Sequence, residues 1–376
     1  MQIFWFALIL LVITAITGII VLELGQAALP GRYLLPGTSI PTYFDADYLL
    51  NPAYAVLNHH GAYPWYGSIY NLAYPPQYVF LFVPLALLPR DIAEITTLIL
   101  TAIGIVVFLI YWCRVNGKLA LWFWPLLLSV PVFHLLHVDQ IFTVIGLTTL
   151  CLALYASQQN HWYLVGFLLA IALIRPFNVI ELLPFFIVIT WSVPKNLLKA
   201  AVGGLVFFAP LTALSFLWDP KILTYFLASA HSFNLDGPPR ILHDLFGGVG
   251  PYLGLGALTL LGCLLAYKHS KKQVNLDDFA LVLGISALVA TAGGLYIGVF
   301  VFPALSRLAL RAKMFWVPWF CSFTLWGVIL LFSPQIVSGN NKVIFGLTTS
   351  VLALSLLSFL LLVQPRQRNI SEKLEP

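Results

Sequence analysis

The fold of this chain is decided by residues 74–113, which read YPPQYVFLFVPLALLPRDIAEITTLILTAIGIVVFLIYWC. Two apolar runs in this stretch are separated by Pro89 and the charged pair that follows it. The first run, Gln77–Leu88, reaches about 18 Å as a helix, which is too short for a hydrocarbon core of about 30 Å. We therefore expect a short interfacial or re-entrant helix there. The second run, Ile92–Cys113, is long enough to span a bilayer.

The composition excludes a water-soluble globule. Of the 376 residues, 60% are hydrophobic and 9% are charged, whereas a soluble domain carries about 25% charged residues. Further apolar runs of spanning length occur at Ile3–Leu22, Leu198–Leu217 and Val343–Val363. The sequence therefore predicts an all-α, polytopic membrane protein, with Ile3–Leu22 as an uncleaved first helix because it is longer than the apolar core of a signal peptide.

Basic residues set the predicted topology. If the short helix is not a span and the N-terminus is inside, thirteen of the nineteen Lys and Arg residues fall in inner loops, as the positive-inside rule expects. Counting the short helix as a span would move the cluster Lys268–Lys272 to the outer side. We expect a single membrane domain over residues 1–376, with both termini cytoplasmic, an outer loop at 23–91 that contains interfacial helices, and a cytoplasmic tail at 364–376. The twelve predicted spans are 3–22, 92–113, 119–136, 140–156, 161–174, 177–191, 198–217, 249–267, 277–294, 295–308, 314–332 and 342–363.

Acidic residues gather on the predicted outer side, and two of them, Asp45 and Asp47, stand two residues apart in the long outer loop. Such a pair can act as a general base with a helper or as a clamp for a metal. Alternatively, Asp47 is the N-cap of a helix over Tyr48–Asn58. Asp91 and Glu94 have the spacing of a capping box, which predicts Asp91 as the N-cap of the span 92–113.

Aromatic and turn residues fill the rest of the outer loop, with Tyr74 and two prolines at its end. Such residues mark the membrane interface, or they pack on the face of a sugar or a lipid headgroup. The adjacent His59 and His60 would point in different directions on a helix, and the four cysteines have no metal-ligand spacing. We therefore expect no metal and no cofactor. The basic excess belongs to inner loops, so that no nucleic-acid partner is expected.

Polar residues in three further outer turns are candidate site residues: His137, Asp139, Gln140, Arg175 and Arg240. The charge of Arg175 lies between apolar helices, so that it needs a partner or a function. Arg175 either pairs with Asp139 or Glu181, or it binds a phosphate through its planar guanidinium. The loop around Arg240 either lines a site or is a solvated linker.

The order of these elements resembles glycosyltransferase family 87, membrane enzymes of the GT-C superfamily that include polyprenyl-phosphate-mannose-dependent mannosyltransferases. The resemblance covers about half of the chain, residues 40–190, and its most specific part runs from Tyr74–Pro76 to Pro84–Pro89. The other matching features are Asp45 or Asp47, Ala53–Leu57, Gly61–Pro64, Gln140 and Arg175 with Pro176.

The resemblance implies a GT-C-like fold that transfers a sugar with inversion from polyprenyl phosphate to a lipid or glycan acceptor. Mannose is the family's best-known sugar, and the reaction would face outward from the plasma membrane of a prokaryote. The resemblance implies that Asp45, as the first choice, or Asp47, as the second, deprotonates the acceptor and that Arg175, with Gln140, holds the donor phosphate. Aligning on Leu57 favours Asp45, and aligning on Gly61 favours Asp47. The expected substrate-lining residues are Tyr74, His137, Asp139, Arg240 and Tyr296.

Two positions depart from the family's pattern. Arg175 replaces the lysine that usually precedes the proline, and Tyr296 lies in a late turn where many members carry a tryptophan and a histidine. Two other functions remain open. A transporter or flippase of lipid-linked substrates would carry ionisable residues near mid-membrane and an internal repeat, and we find neither. A non-catalytic relative would bind polyprenyl lipids without turning them over.

Overall fold

The computed structural model of the chain describes residues 46–63, 74–116, 132, 135–136, 139–175, 186–187, 190, 193–230, 246–269, 276–289, 299–304 and 307. Within these residues every regular element is a helix, which confirms the predicted all-α class for this part of the chain. The chain divides into two compact units that alternate along the sequence. The first comprises Met1–Val115, Leu135–Val179 and Thr190–Asn234, and the second comprises Asn116–His134, Ile180–Ile189 and Leu235–Pro376.

The first unit contains seven described α-helices and one 3-10 turn. In chain order these are α1 (Asp47–Leu57), the 3-10 turn Pro76–Tyr78, α2 (Val79–Ala86), α3 (Arg90–Asn116), α4 (Ile141–Gln158), α5 (Trp162–Ala172), α6 (Pro194–Trp218) and α7 (Ile222–Ala230). α6 begins with a proline. The first N–H groups of a helix have no acceptor within it, so that a proline there, which has no N–H, costs no hydrogen bond.

Three of these helices, α3, α4 and α6, are long and apolar enough to cross a membrane. They correspond to the predicted spans 92–113, 140–156 and 198–217, and their ends differ from the prediction by a few residues. The apolar side chains of α6 lie mostly on its outside, where Leu198 is 66% exposed and Leu217 is 82% exposed. A face of this kind is stable against lipid and not against water.

The remaining predicted spans differ in how far the structure describes them. α5 has 11 residues, a length of about 16 Å, which is shorter than the predicted span 161–174. In the second unit, α8 (Gly250–His269) and α9 (Leu276–Val289) lie at two more predicted positions and pack against each other. The predicted spans that lie wholly or mostly outside the described residues are 3–22, 119–136, 177–191, 314–332 and 342–363, and half of the span 295–308 is described.

The short apolar run ahead of α3 forms a short helix, as the sequence predicts. The 3-10 turn and α2 together end at Ala86, before Pro89. α2 packs against α1 and buries Val79 and Phe82. At its start, the hydroxyl of Tyr78 donates a hydrogen bond of 2.5 Å to the carbonyl oxygen of Ala170 on α5. The element is therefore held by protein contacts on one side and is too short to be a separate span.

α3 and α4 run parallel to each other. From one end to the other, Thr101 lies at Asp139, the carbonyl of Gly104 accepts a 2.9 Å hydrogen bond from Thr148, and the ring of Tyr111 lies 5.4 Å from that of Tyr155. α4 then turns back into α5 through Asn160, which has a φ of 59°. Asn tolerates this left-handed conformation better than most residues do. The start of α4 and the end of α5 consequently lie at the same end of the unit.

α5 and α6 cross at two glycines. A Cβ added at Gly166 would lie 1.7 Å from the carbonyl oxygen of Ala200, and one at Gly203 would lie 1.9 Å from the carbonyl oxygen of Tyr163. The two backbones therefore approach more closely than any side chain at these positions would allow. Close packing through small residues is a common way for membrane helices to associate.

Candidate active site

The first turns of α3 and α4 lie at one end of the first unit, and so do the last residues of α5 and α6. We call this end, formed by residues 46–48, 58–62, 88–101, 139–142, 172–175 and 218–219, the polar end. α1 crosses it: Asp47 at the start of α1 contacts Arg90 of α3, and the carbonyl oxygen of His60 after α1 accepts a 2.7 Å hydrogen bond from the indole of Trp218 at the end of α6. The structure thus places a helix, α1, in the loop predicted at 23–91, and its position at a membrane interface stays a prediction.

Asp47 is the first residue of α1, and its side chain points to α3. Its Oδ2 atom accepts a 2.8 Å hydrogen bond from Nη2 of Arg90. The N-cap of α1 is Ala46, and no side chain caps the helix. The N-cap reading of Asp47 is therefore wrong, because a tertiary ion pair engages the carboxylate instead of the backbone of its own helix.

Arg90 binds a second acid on α3. Its Nε atom donates a 2.8 Å hydrogen bond to Oε1 of Glu94, four residues further along the helix. α3 begins at Arg90, so that Asp91 lies within the first turn and is not the N-cap that the sequence predicted. The side chain of Glu94 bonds Arg90 and does not reach back to close a capping box, because the guanidinium provides a charged partner one turn away.

The two carboxylate oxygens of Asp47 have different surroundings. Oδ1 is buried and makes no hydrogen bond to any described residue. Burial raises the pKa of Asp47; Arg90 opposes this effect and the charge of Glu94 adds to it. A carboxylate oxygen of this kind has lone pairs available for a proton, and a raised pKa makes it a stronger base than an ordinary aspartate.

Asp139 is a fully buried carboxylate at the turn into α4, with a left-handed backbone φ of 48°. Oδ1 accepts a 2.8 Å hydrogen bond from the hydroxyl of Thr101, and Oδ2 accepts one from Thr97. Aspartate tolerates the left-handed region better than most residues do. Both of its oxygens are engaged by threonines of α3, so that Asp139 fastens the start of α4 to that helix.

Gln140 and Arg175 both lie against α4. Gln140 is 1% exposed and accepts a 3.0 Å hydrogen bond from the hydroxyl of Thr143. Arg175 follows the end of α5, and its Cβ and Cγ atoms pack beside Gly146. Two of its guanidinium nitrogens, Nε and Nη2, are buried. The structure thus places both predicted phosphate-binding residues beside α4: Gln140 precedes the helix, and Arg175 packs at Gly146, six residues or about 9 Å further along the axis.

Tyr74 joins the start of α1 to the start of α4. Its ring is 5% exposed and lies 6.3 Å from the ring of Tyr48, the neighbour of Asp47. On its other side it lies 4.2 Å from the ring of Phe142, two residues after Gln140. Of the predicted site residues, the structure therefore places Asp47, Tyr74, Asp139, Gln140 and Arg175 in one region. Asp45, His137, Arg240 and Tyr296 lie outside the described residues.

Sequence reasoning missed the face of α3 that binds the two aspartates. Arg90, Glu94, Thr97 and Thr101 follow one another at intervals of three or four residues, which places them on one side of a helix. Polar residues at this spacing in an apolar helix were a usable signal. Sequence reasoning also missed α7, and it missed Asp219, whose Oδ2 accepts a 3.1 Å hydrogen bond from the backbone of Ala62 and holds the loop after α1.

No group of three or more His, Cys, Asp or Glu side chains lies close enough together to hold a metal ion in the part of the chain that the structure describes. The carboxylates of Asp47 and Glu94 instead share the cation of Arg90.

No protein-family model matches this chain, and neither does any curated protein or any solved structure. The resemblance to glycosyltransferase family 87 therefore rests on the quoted residues alone.

Proposed function

We propose that this chain is a membrane glycosyltransferase that moves a sugar, with mannose as the first candidate, from polyprenyl phosphate to a lipid or glycan acceptor. One observation carries the proposal: Asp47 has one oxygen bonded to Arg90 and a second, buried oxygen with no hydrogen bond to any described residue. This carboxylate lies at the polar end of a unit with three helices of membrane-spanning length. An acceptor hydroxyl brought to Oδ1 would meet a base whose pKa is raised by burial.

The proposed reaction is a single displacement at the anomeric carbon. The acceptor hydroxyl gives its proton to Oδ1 of Asp47, and the acceptor oxygen forms a bond to the anomeric carbon. The bond from that carbon to the phosphate oxygen breaks, and polyprenyl phosphate leaves with the electron pair. The sugar changes its anomeric configuration because the acceptor attacks from the side opposite to the leaving group. Proton transfer to a positioned carboxylate contributes about 10²–10⁴-fold to such a rate.

Arg175 and Gln140 are the proposed donor-binding residues. A guanidinium can make two parallel hydrogen bonds to a phosphate, and it stabilises the negative charge that develops as polyprenyl phosphate leaves. We expect Arg175→Ala to raise KM for the donor by about tenfold or more while the protein still extracts as a monodisperse species, and Arg175→Lys to recover part of that loss. A variant that aggregates on extraction would instead support a structural ion pair.

The arrangement of the helices supports the predicted topology. In the twelve-span, GT-C-like arrangement, the spans 92–113 and 140–156 share one direction, and α3 and α4 are parallel. The same arrangement brings the ends of the spans 161–174 and 198–217 to the side where those two spans begin. These four helix ends form the polar end, and we propose that it faces outward.

A transporter or flippase of lipid-linked substrates is the second candidate function. Asp139 favours it, because a fully buried carboxylate beside two helices of membrane-spanning length is a common feature of ion-coupled transport. A non-catalytic relative that binds polyprenyl lipids is the third. A transporter would move the donor lipid between leaflets without consuming it, whereas a non-catalytic relative would bind the lipid and leave it unchanged.

The test uses purified protein in lipid with polyprenyl-phosphate-mannose and a lipid extract as the source of acceptor. Release of polyprenyl phosphate is followed by mass spectrometry for the wild type, Asp45→Asn and Asp47→Asn. We expect release by the wild type and by Asp45→Asn, and its loss in Asp47→Asn. Loss in Asp45→Asn alone would transfer the role of the base to Asp45. Equal release by all three proteins would overturn the assignment of either aspartate as the base.

A further inference from the structure

The guanidinium of Arg90 binds two acids on different helices. Nη2 donates to Oδ2 of Asp47 on α1, and Nε donates to Oε1 of Glu94 on α3, each at 2.8 Å. We propose that Arg90 and Glu94 are positioning residues, which hold Asp47 by one oxygen and leave the other available for the acceptor hydroxyl. This inference rests on the proposed function, because it assigns a role relative to the base of that reaction.

The geometry favours positioning over stabilisation as the role of this group. The side chain of Arg90 is 55% exposed, and ion pairs of exposed side chains add little to stability. Glu94 is different, since its side chain is only 9% exposed and stands on the first turns of a long helix. By binding Nε, Glu94 fixes the orientation of an otherwise flexible arginine. Nη2 then reaches Asp47 from one direction only, and Oδ1 remains without a hydrogen bond to a described residue.

The charges around Asp47 make the inference testable by pH. α3 presents Arg90 and Glu94 to it, with the exposed Asp91 in the same turn, and α1 contributes Tyr54. The segment 74–89 contributes tyrosines and no charged side chain. The cation of Arg90 lowers the pKa of Asp47, whereas the charge of Glu94 raises it. Neutralising the two partners should consequently move the pKa of Asp47 in opposite directions.

We expect Arg90→Gln to move the acidic limb of the kcat/KM profile to higher pH, because the base then loses its neighbouring cation. Loss of positioning should also lower kcat by on the order of 10²-fold at the pH optimum. Arg90→Lys keeps the charge but cannot bind both acids through a planar fork, and we expect it to recover only part of kcat. Glu94→Gln should move the acidic limb to lower pH, while its amide oxygen still accepts from Nε of Arg90.

Asp91→Asn is the matched control. It removes a carboxylate from the same turn of α3, and Asp91 is exposed and forms neither a hydrogen bond nor an ion pair with Asp47. We expect its pH profile to coincide with that of the wild type. A shift as large as that of Glu94→Gln would show that any acid on this turn has the same effect, which would overturn the specific role of Glu94.

A second readout does not depend on turnover. Carboxyl-¹³C-labelled aspartate is incorporated into the whole chain in detergent, the Asp47 signal is assigned by its absence in Asp47→Asn, and the pKa is measured for each variant. Opposite shifts in Arg90→Gln and Glu94→Gln are expected. Unchanged pKa values in both would overturn the positioning role, whether or not the wild type transfers sugar. Opposite shifts in a protein that transfers no sugar would support the arrangement around Asp47 and overturn the proposed reaction.

Discussion

Asp47 and Asp139 are bound by the same face of α3 in two different ways. Asp47 meets Arg90 with one oxygen, keeps a second oxygen without a hydrogen bond to a described residue, and has a side chain that is 21% exposed. Asp139, bound by Thr97 and Thr101 about two turns further along, is fully buried and has both oxygens engaged by hydroxyls. Environment separates the roles of two chemically identical side chains. We infer that the first is the reactive acid and that the second fastens two helices together.

The largest expected effect tests whether Asp47 is the reactive acid. Asp47→Asn keeps the size of the side chain and removes its basicity, so that turnover should fall by about 10²–10⁴-fold. The melting temperature in detergent should change little, because the ion pair with Arg90 is partly exposed. Initial rates and thermal melts on the same preparations measure both quantities. A large loss of thermal stability with residual turnover would reverse the assignment.

Asp139→Ala tests whether Asp139 holds α3 and the start of α4 together. It removes the acceptor of two threonine hydroxyls and places a Cβ-bearing residue without a polar side chain at a φ of 48°. We expect the free energy of unfolding to fall by about 3 kcal/mol, from unsatisfied hydroxyls and backbone strain together. Asp139→Asn is the control, since asparagine tolerates the left-handed conformation and keeps one acceptor oxygen. Equal losses in both variants would show that the charge of Asp139, and not its hydrogen bonds, is what matters.

A smaller effect is expected from Thr101→Val, which removes one of the two threonine donors to Asp139 and preserves the shape of the side chain. The loss should be about 1.5 kcal/mol, the contribution of one hydrogen bond to a charged group. Thermal or denaturant unfolding in detergent measures it. Thr96→Val is a suitable control, because the hydroxyl of Thr96 bonds a carbonyl of its own helix, that of Ile92, at a more exposed position. A loss in Thr101→Val no greater than in this control would mean that the bond to Asp139 contributes little.

The pH dependence of the wild type gives the finest distinction. Because burial raises the pKa of Asp47, lowering the pH protonates it before it would protonate an ordinary aspartate, and a protonated carboxyl cannot act as the base. The value of kcat/KM should therefore fall about tenfold per pH unit on an acidic limb that lies above the usual aspartate range. A profile that stays flat through that region would contradict Asp47 as the base.

Long apolar runs made the helices of membrane-spanning length predictable from the sequence. α3, α4 and α6 follow from continuous hydrophobicity, and the short helix α2 follows from the prolines that bound its run. Contacts between side chains that are far apart in sequence could not be predicted in the same way. Local pattern predicted capping for Asp91 and left capping open for Asp47, whereas Asp47 is bound by Arg90, 43 residues away. α7 escaped prediction because its nine residues are fewer than the window of about 11–18 residues over which helical periodicity is recognised.

The most direct test of the central claim is the release of polyprenyl phosphate by Asp47→Asn and Asp139→Asn, measured side by side by mass spectrometry at equal amounts of monodisperse protein. If the two aspartates have the roles assigned here, Asp47→Asn releases none above the background and Asp139→Asn retains release close to that of the wild type. Retained release in Asp47→Asn together with its loss in Asp139→Asn would contradict the account, and would make the buried carboxylate the reactive one.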